Sequence, residues 1–67
     1  MSYRYYTLYR PPMPGSIPRG CILAEDFGER RFISELGIRA LGFAEYDHPL
    51  TEKEIFDYEL RYSPESV

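Results

Sequence analysis

A proline-rich stretch near the start of the chain limits what the rest of it can form. Residues 10–20 read RPPMPGSIPRG, and each of their four prolines removes a backbone N–H that a helix or an inner strand would need. Gly15 and Gly20 allow tight bends. The stretch therefore predicts an ordered loop, with Met13 and Ile17 folded back onto the core, that separates one element before it from all those after it.

The sequence offers no internal disulfide and no zinc site to stabilise the core. It has 67 residues but a single cysteine, Cys21, and a single histidine, His48, which cannot form an internal disulfide or a Cys/His zinc set. Domains of this size bury only about 60% of the surface that their unfolded chains expose. We therefore expect the seven tyrosines and four phenylalanines to supply most of the core. The lone thiol indicates a cytoplasmic protein.

Side-chain alternation predicts three strands. Residues 3–9 (YRYYTLY) are rich in strand-forming tyrosine, residues 21–27 begin as an apolar run, and residues 38–47 alternate throughout. Cys21, at the start of the second strand, is expected to be buried. Residues 28–37 are ambiguous between a loop and one helical turn, and we interpret them as a loop with at most one turn.

A helix is predicted after the third strand. Thr51 and Glu54 have the spacing of a capping box, which marks a helix start. The apolar side of the helix ends near Tyr58, so residues 59–62 (ELRY) are predicted to be extended and could pair with an edge of the sheet.

Together these elements predict one small domain of the α+β class, residues 1–67. Its expected architecture is a small three-stranded antiparallel sheet with one C-terminal helix packed on one face (β-β-β-α) and a frayed tail at residues 63–67. The chain has no apolar run long enough to cross a bilayer and no signal peptide pattern at its start. We expect no membrane association.

The sequence shows no catalytic, cofactor or metal motif. Cys21 and His48 are the only Cys/His pair, and nothing in their spacing places a base against the thiol. Asp47, His48 and Glu52 match no metal-ligand spacing. Residues 15–20 (GSIPRG) lack the lysine and the strand-loop-helix context of a phosphate loop. The expectation is a protein that is not an enzyme and that uses no cofactor and no metal.

Two groups of residues are candidates for contact with a protein partner. Tyrosine and arginine often anchor interfaces, whereas an acidic surface near the helix could enter a basic groove. For each group there is a purely structural alternative, in which the tyrosines form the core and the carboxylates form a solvated face. The candidates are Tyr3, Tyr5, Tyr9 and Arg10 in the first group and Glu45, Asp47, Glu54 and Asp57 in the second. A homodimer also remains open.

Nucleic-acid binding is the alternative function. Arg4, Tyr6 and Arg10 could stack on bases if they faced solvent together. The formal net charge of −3 opposes this reading, because attraction to phosphates dominates such affinities.

Two segments resemble a small domain family of Firmicutes mobile elements, which occurs alone and in association with large polyvalent proteins. They are residues 3–20 (YRYYTLYRPPMPGSIPRG) and 40–60 (ALGFAEYDHPLTEKEIFDYEL), and they share with that family Arg-Pro-x-x-Pro-Gly and Gly-x-x-Glu-Tyr-x-x-Pro-Leu-Thr. The chain departs from it at Leu41, where the family has tryptophan, and at Leu8 and Tyr9, where it has a polar pair. The resemblance implies a phage or mobile-element accessory protein that binds and inhibits a host defence nuclease, such as a CRISPR effector.

Overall fold

The structure, a computed structural model, describes residues 2–64. The elements are β1 (Tyr3–Thr7), β2 (Leu23–Ile33), β3 (Ile38–Tyr46), α1 (Glu52–Asp57) and β4 (Leu60–Ser63). The four strands form one fully antiparallel sheet with strand order β2-β3-β1-β4. The class is α+β, mostly sheet.

The predicted three-stranded sheet is wrong, because there is a fourth strand. The segment that the sequence indicated as extended, residues 59–62, largely forms β4, which pairs with β1 and places Leu60 opposite Thr7. β4 also includes Ser63, which is buried, whereas the sequence predicts a frayed tail from residue 63. Residues 65–67 of that tail lie outside the described part of the chain.

β2 continues through residues that we predicted as a loop. It pairs with β3 on both sides of an irregularity between Asp26 and Arg31, so residues 28–33 belong to the strand and the turn occupies only 34–37. Gly28 lies in this irregularity with φ of 77°, and its N–H donates to Asp26 Oδ1 at 2.9 Å. Asp26 and Gly28 therefore bend β2, and the strand continues beyond its predicted end at residue 27.

The first buried cluster lies between the sheet, the helix and the proline-rich loop. Tyr5, Ala44, Tyr46, Leu50, Leu60 and Ile17 form it, with Ile55 and Tyr58 of α1 packed against it. Ile17 folds back as predicted, but Met13 is 53% exposed. The loop is tied down by Tyr46, whose hydroxyl donates to the Pro18 carbonyl at 2.6 Å.

A second cluster contains side chains from the opposite face of β1. Tyr6 and Phe43 are paired across β1 and β3 and are buried with Ile33 and Ala40. Phe27 packs on Phe43 with ring centroids 6.0 Å apart. A thin sheet therefore supports aromatic packing on both sides, as expected for a chain with so little core volume.

Helix α1 begins where the capping box predicted. The Thr51 hydroxyl accepts the Glu54 N–H at 3.1 Å, while Glu54 Oε1 accepts the Thr51 N–H at 2.9 Å. Tyr58 is the C-cap, which confirms the predicted end. Cys21 precedes β2 and is exposed, so the prediction that it is buried is wrong. Within residues 2–64, no helix has the length and apolar character required to cross a bilayer.

Candidate functional site

An open groove of about 610 Å³ lies where the chain leaves β1. It is bounded by the residues that follow β1, by α1 and by the turn from α1 into β4. Buried Leu60 and half-buried Leu8 and Ile55 give it apolar surface. Two aromatic side chains line it and face solvent, Tyr9 at 62% exposure and Phe56 at 82%.

An ion pair fixes one part of this groove. Arg10 Nη2 lies 2.7 Å from Glu59 Oε1, with both side chains partly exposed. Glu59 has φ of 56°, the left-handed region that a residue with a Cβ rarely adopts. The backbone at Glu59 therefore makes the turn from α1 into β4 while its side chain holds Arg10.

The other predicted tyrosine contacts are used inside the fold. Tyr5 is 2% exposed, and its hydroxyl accepts the Leu50 N–H at 2.8 Å. Burial raises the pKa of Tyr5 above its usual value. Tyr3 is half-buried and packs against Tyr62, with ring centroids 6.4 Å apart. Of the four residues in the first group, the structure brings only Tyr9 and Arg10 together at an exposed surface.

The predicted acidic residues do not form one continuous site. Glu45 is buried at 8% exposure. The carboxylate of Glu54 is engaged in the capping box. Asp47 is exposed and bonds to His48 Nδ1 at 2.8 Å, and this hydrogen bond lowers the pKa of the Asp47 carboxyl. Asp57 pairs with Lys53 at 2.5 Å, one helical turn away, and is the only one of the four that lines the groove.

The residues of the alternative nucleic-acid platform are not presented to solvent together. Arg4 Nε donates to Glu45 Oε2 at 2.7 Å, and its guanidinium lies 3.9 Å from the centroid of the Phe43 ring. Tyr6 is only 4% exposed. Arg10 pairs with Glu59 in the lining of the groove. With Tyr6 buried and Arg4 engaged by Glu45, the three residues do not offer bases a common stacking surface.

A second pocket of about 570 Å³ lies between the proline-rich loop and the start of β2. Met13, Cys21 and Tyr58 are among the residues that line it. His48 is exposed. The described chain contains no group of three or more His, Cys, Asp or Glu residues placed to hold a metal ion.

Sequence reasoning missed Phe56 and Glu59 as groove residues. A helical wheel that puts Ile55 and Tyr58 toward the core turns Phe56 away from it, since each residue advances the helix by about 100°. That was a usable signal for an exposed aromatic side chain. The left-handed turn at Glu59 had no such signal, because glycine or asparagine is the residue expected there.

A comparison with family models matches residues 1–65 to one described as Defence against restriction A C-terminal. Comparisons with curated proteins and with solved structures found no match. Restriction is a host defence, so the match agrees with the predicted association with phages and mobile elements; the Firmicutes and polyvalent-protein assignments remain predictions. Because the match covers nearly the whole chain, the protein belongs to the Defence against restriction A C-terminal family.

Proposed function

We propose that this domain is a non-catalytic protein-binding module with which a phage or mobile element blocks a host defence nuclease. Family membership supports a role against restriction. The groove beside α1 supports a mechanism by binding, and the observation that carries the proposal is the pair of exposed aromatic side chains there, Tyr9 and Phe56.

Exposure of these two side chains has a physical cost that a partner would remove. Phe56 is 82% exposed in a 67-residue protein whose core is made of aromatic rings. Aromatic residues next to arginine commonly anchor interfaces, and burying one ring contributes about 1.5–3 kcal/mol. Tyr9, Arg10 and Phe56 therefore have the composition of an anchor cluster.

The Arg10–Glu59 pair adds preorganisation to this cluster. A non-glycine residue with positive φ costs about 1–3 kcal/mol where it is strained, and such positions occur often at functional sites. Glu59 keeps this conformation and holds the Arg10 side chain in one place. A partner carboxylate could then meet an arginine whose rotamer entropy is already partly lost.

The experiment is a DNA cleavage assay with a panel of host restriction endonucleases and the purified 67-residue chain. We expect the wild type to slow cleavage by at least one endonuclease, and the double variant Tyr9→Ala/Phe56→Ala to lose about tenfold or more in potency. Phe32→Ala is the matched control, because Phe32 is 60% exposed on β2 and does not line the groove. It should inhibit as the wild type does.

Two further arms decide the nature of the target. Titration of the chain with single- and double-stranded oligonucleotides at low salt separates nuclease binding from protection by coating DNA. A parallel assay with a CRISPR effector tests the narrower form of the proposal. Absence of inhibition throughout the panel, or equal loss of potency in the control and the groove variant, would contradict the proposal.

A further inference from the structure

We propose that the second pocket, between the proline-rich loop and the start of β2, binds a small carboxylate that has an apolar body. The pocket has a volume of about 570 Å³, within the range of roughly 300–1,000 Å³ that is usual for small-molecule sites. Among the described residues, none lines both this pocket and the groove beside α1. The site is therefore separate from the proposed contact with a nuclease.

The proline-rich loop forms one wall of the second pocket and is held in place by hydrogen bonds. The Ser16 hydroxyl donates to the Pro11 carbonyl at 2.7 Å and accepts the Met13 N–H at 3.0 Å. Further along the loop, the Tyr46 hydroxyl donates to the Pro18 carbonyl at 2.6 Å. The prolines also fix their own backbone φ angles. A ligand therefore meets a wall that is already formed, and it loses little affinity to ordering the loop.

Most of the lining of the second pocket is apolar. Buried Ile17 of the loop, Ala24 of β2 and half-buried Tyr58, the C-cap residue of α1, contribute to it. Met13, at 53% exposure, adds a thioether side chain that can adapt its shape to a ligand. Side chains from three parts of the chain thus meet at one concave surface. Transfer of an apolar ligand from water to this surface is favourable.

Charge decides which apolar ligand fits the second pocket. Of the described residues that line it, Arg19 alone carries a formal charge at pH 7, and within residues 2–64 Arg19 forms no ion pair. This is unusual in a chain with eleven acidic residues, three of which line the groove beside α1. An arginine pairs well with a carboxylate. One cation balances one negative charge, so the pocket is complementary to a carboxylate monoanion.

NMR titration of the full chain with 3-phenylpropanoate and with its neutral amide, 3-phenylpropanamide, tests this site. We expect a dissociation constant for the amide that is at least about threefold higher than for the acid, the effect of a partly exposed ion pair. Arg19→Gln should remove this preference and leave the affinity for the amide unchanged. Arg39→Gln is the matched control and should keep the preference, because Arg39 is also exposed but lines neither pocket nor groove.

Cys21 gives an independent readout, because it lines the second pocket and is the only thiol of the chain. Saturating 3-phenylpropanoate should slow alkylation of Cys21 by iodoacetamide several-fold. Far-UV circular dichroism checks that each variant is folded.

Three results would overturn the proposal of a carboxylate site. They are equal affinities of the wild type for the acid and the amide, the same loss of preference in Arg39→Gln as in Arg19→Gln, and alkylation of Cys21 that the ligand does not slow. An acetylated apolar tripeptide with a free C-terminal carboxylate that bound about tenfold more tightly than 3-phenylpropanoate would also overturn it, because the occupant would then be the C-terminus of a protein.

Discussion

Gly42 shows how much a single missing side chain can decide in a protein this small. A Cβ at this position would lie 2.6 Å from Pro12 Cδ and nearer still to the Glu25 carbonyl oxygen. Gly42 is therefore the point where both the proline-rich loop and the neighbouring strand β2 approach β3 closely. At Gly42 the proline-rich loop, through Pro12, packs directly on β3.

Gly42→Ala is predicted to destabilise the fold by about 1–3 kcal/mol, the usual cost of overpacking. If Gly42 were only a flexible strand residue, alanine would instead stabilise by about 0.4–1 kcal/mol through the unfolded chain. Urea unfolding distinguishes the two signs. In a Pro12→Ala background the cost should shrink but persist, because the Glu25 carbonyl still obstructs the new methyl group.

Buried Tyr46 makes the free energy of unfolding depend on pH in the alkaline range. Burial raises the pKa of Tyr46 far above its usual value, which is about 10 in an unfolded chain. Below about pH 10 the Tyr46 hydroxyl is protonated in both the folded and the unfolded protein, so its contribution to stability is fully present. Above about pH 10 the hydroxyl loses its proton in the unfolded protein but keeps it in the folded protein, and the free energy of unfolding therefore falls as pH rises.

For each proton that the folded state keeps and the unfolded state has lost, the free energy of unfolding should fall by up to about 1.4 kcal/mol per pH unit. We therefore expect Tyr46→Phe to reduce this slope, measured by urea unfolding between about pH 9 and 11. The variant will also be less stable at neutral pH, since the Pro18 carbonyl loses its donor. Thr51→Ala serves as a destabilised control without a change in ionisation, and an unchanged slope for Tyr46→Phe would contradict the assignment.

At the scale of elements, α1 depends on its N-terminal cap. The helix has only six residues, none of them buried, and isolated helices of this length are not stable in water. The capping box satisfies backbone N–H groups at its start, and Ile55 and Tyr58 attach it to the first cluster. The helix thus forms because its cap and two side-chain contacts act together.

Thr51→Ala is predicted to cost about 1 kcal/mol of unfolding free energy, because it removes the hydroxyl that accepts the Glu54 N–H. Thr51→Ser keeps an oxygen at that place and should stay near the wild type. Chemical denaturation of both variants measures the difference. If serine and alanine were equally destabilising, the methyl group of Thr51 rather than its hydroxyl would be responsible.

At the scale of the whole molecule, the two buried clusters share strands β1 and β3. Tyr5 and Ala44 belong to the first cluster, and their sequence neighbours Tyr6 and Phe43 belong to the second. Neither side can lose its packing without exposing the backbone ladder that supports the other. Small domains with one connected sheet usually unfold in a single transition.

We predict that unfolding is two-state, so that a substitution in either buried cluster lowers the midpoint of one common unfolding transition. Leu60→Ala in the first cluster and Phe43→Ala in the second should each shift the midpoint seen by tyrosine fluorescence and by far-UV circular dichroism equally. Deletion of a buried leucine or phenylalanine side chain costs about 2–5 kcal/mol. Midpoints that differ between the two probes would show that the sides unfold independently.

The sequence predicted those elements that depend on interactions between residues close together in the chain. The Thr51–Glu54 box predicted the start of α1. The alternation of residues 38–47 predicted β3, which ends one residue earlier, and the prolines predicted the end of β1, which comes two residues earlier than expected. These signals act between neighbours in the chain, through backbone donors and side-chain direction. The family resemblance likewise depended on contiguous motifs.

Tertiary contacts decided the rest. Residues 28–33 extend β2 because β3 offers a partner on both sides of the irregularity, and Leu60–Ser63 is a strand because β1 is available to pair with it. The groove with Tyr9 and Phe56 likewise exists only because the end of β1 and the turn after α1 meet in space. Pairing energy and enclosure depend on residues far apart in the chain, and no local pattern reports where those residues will be.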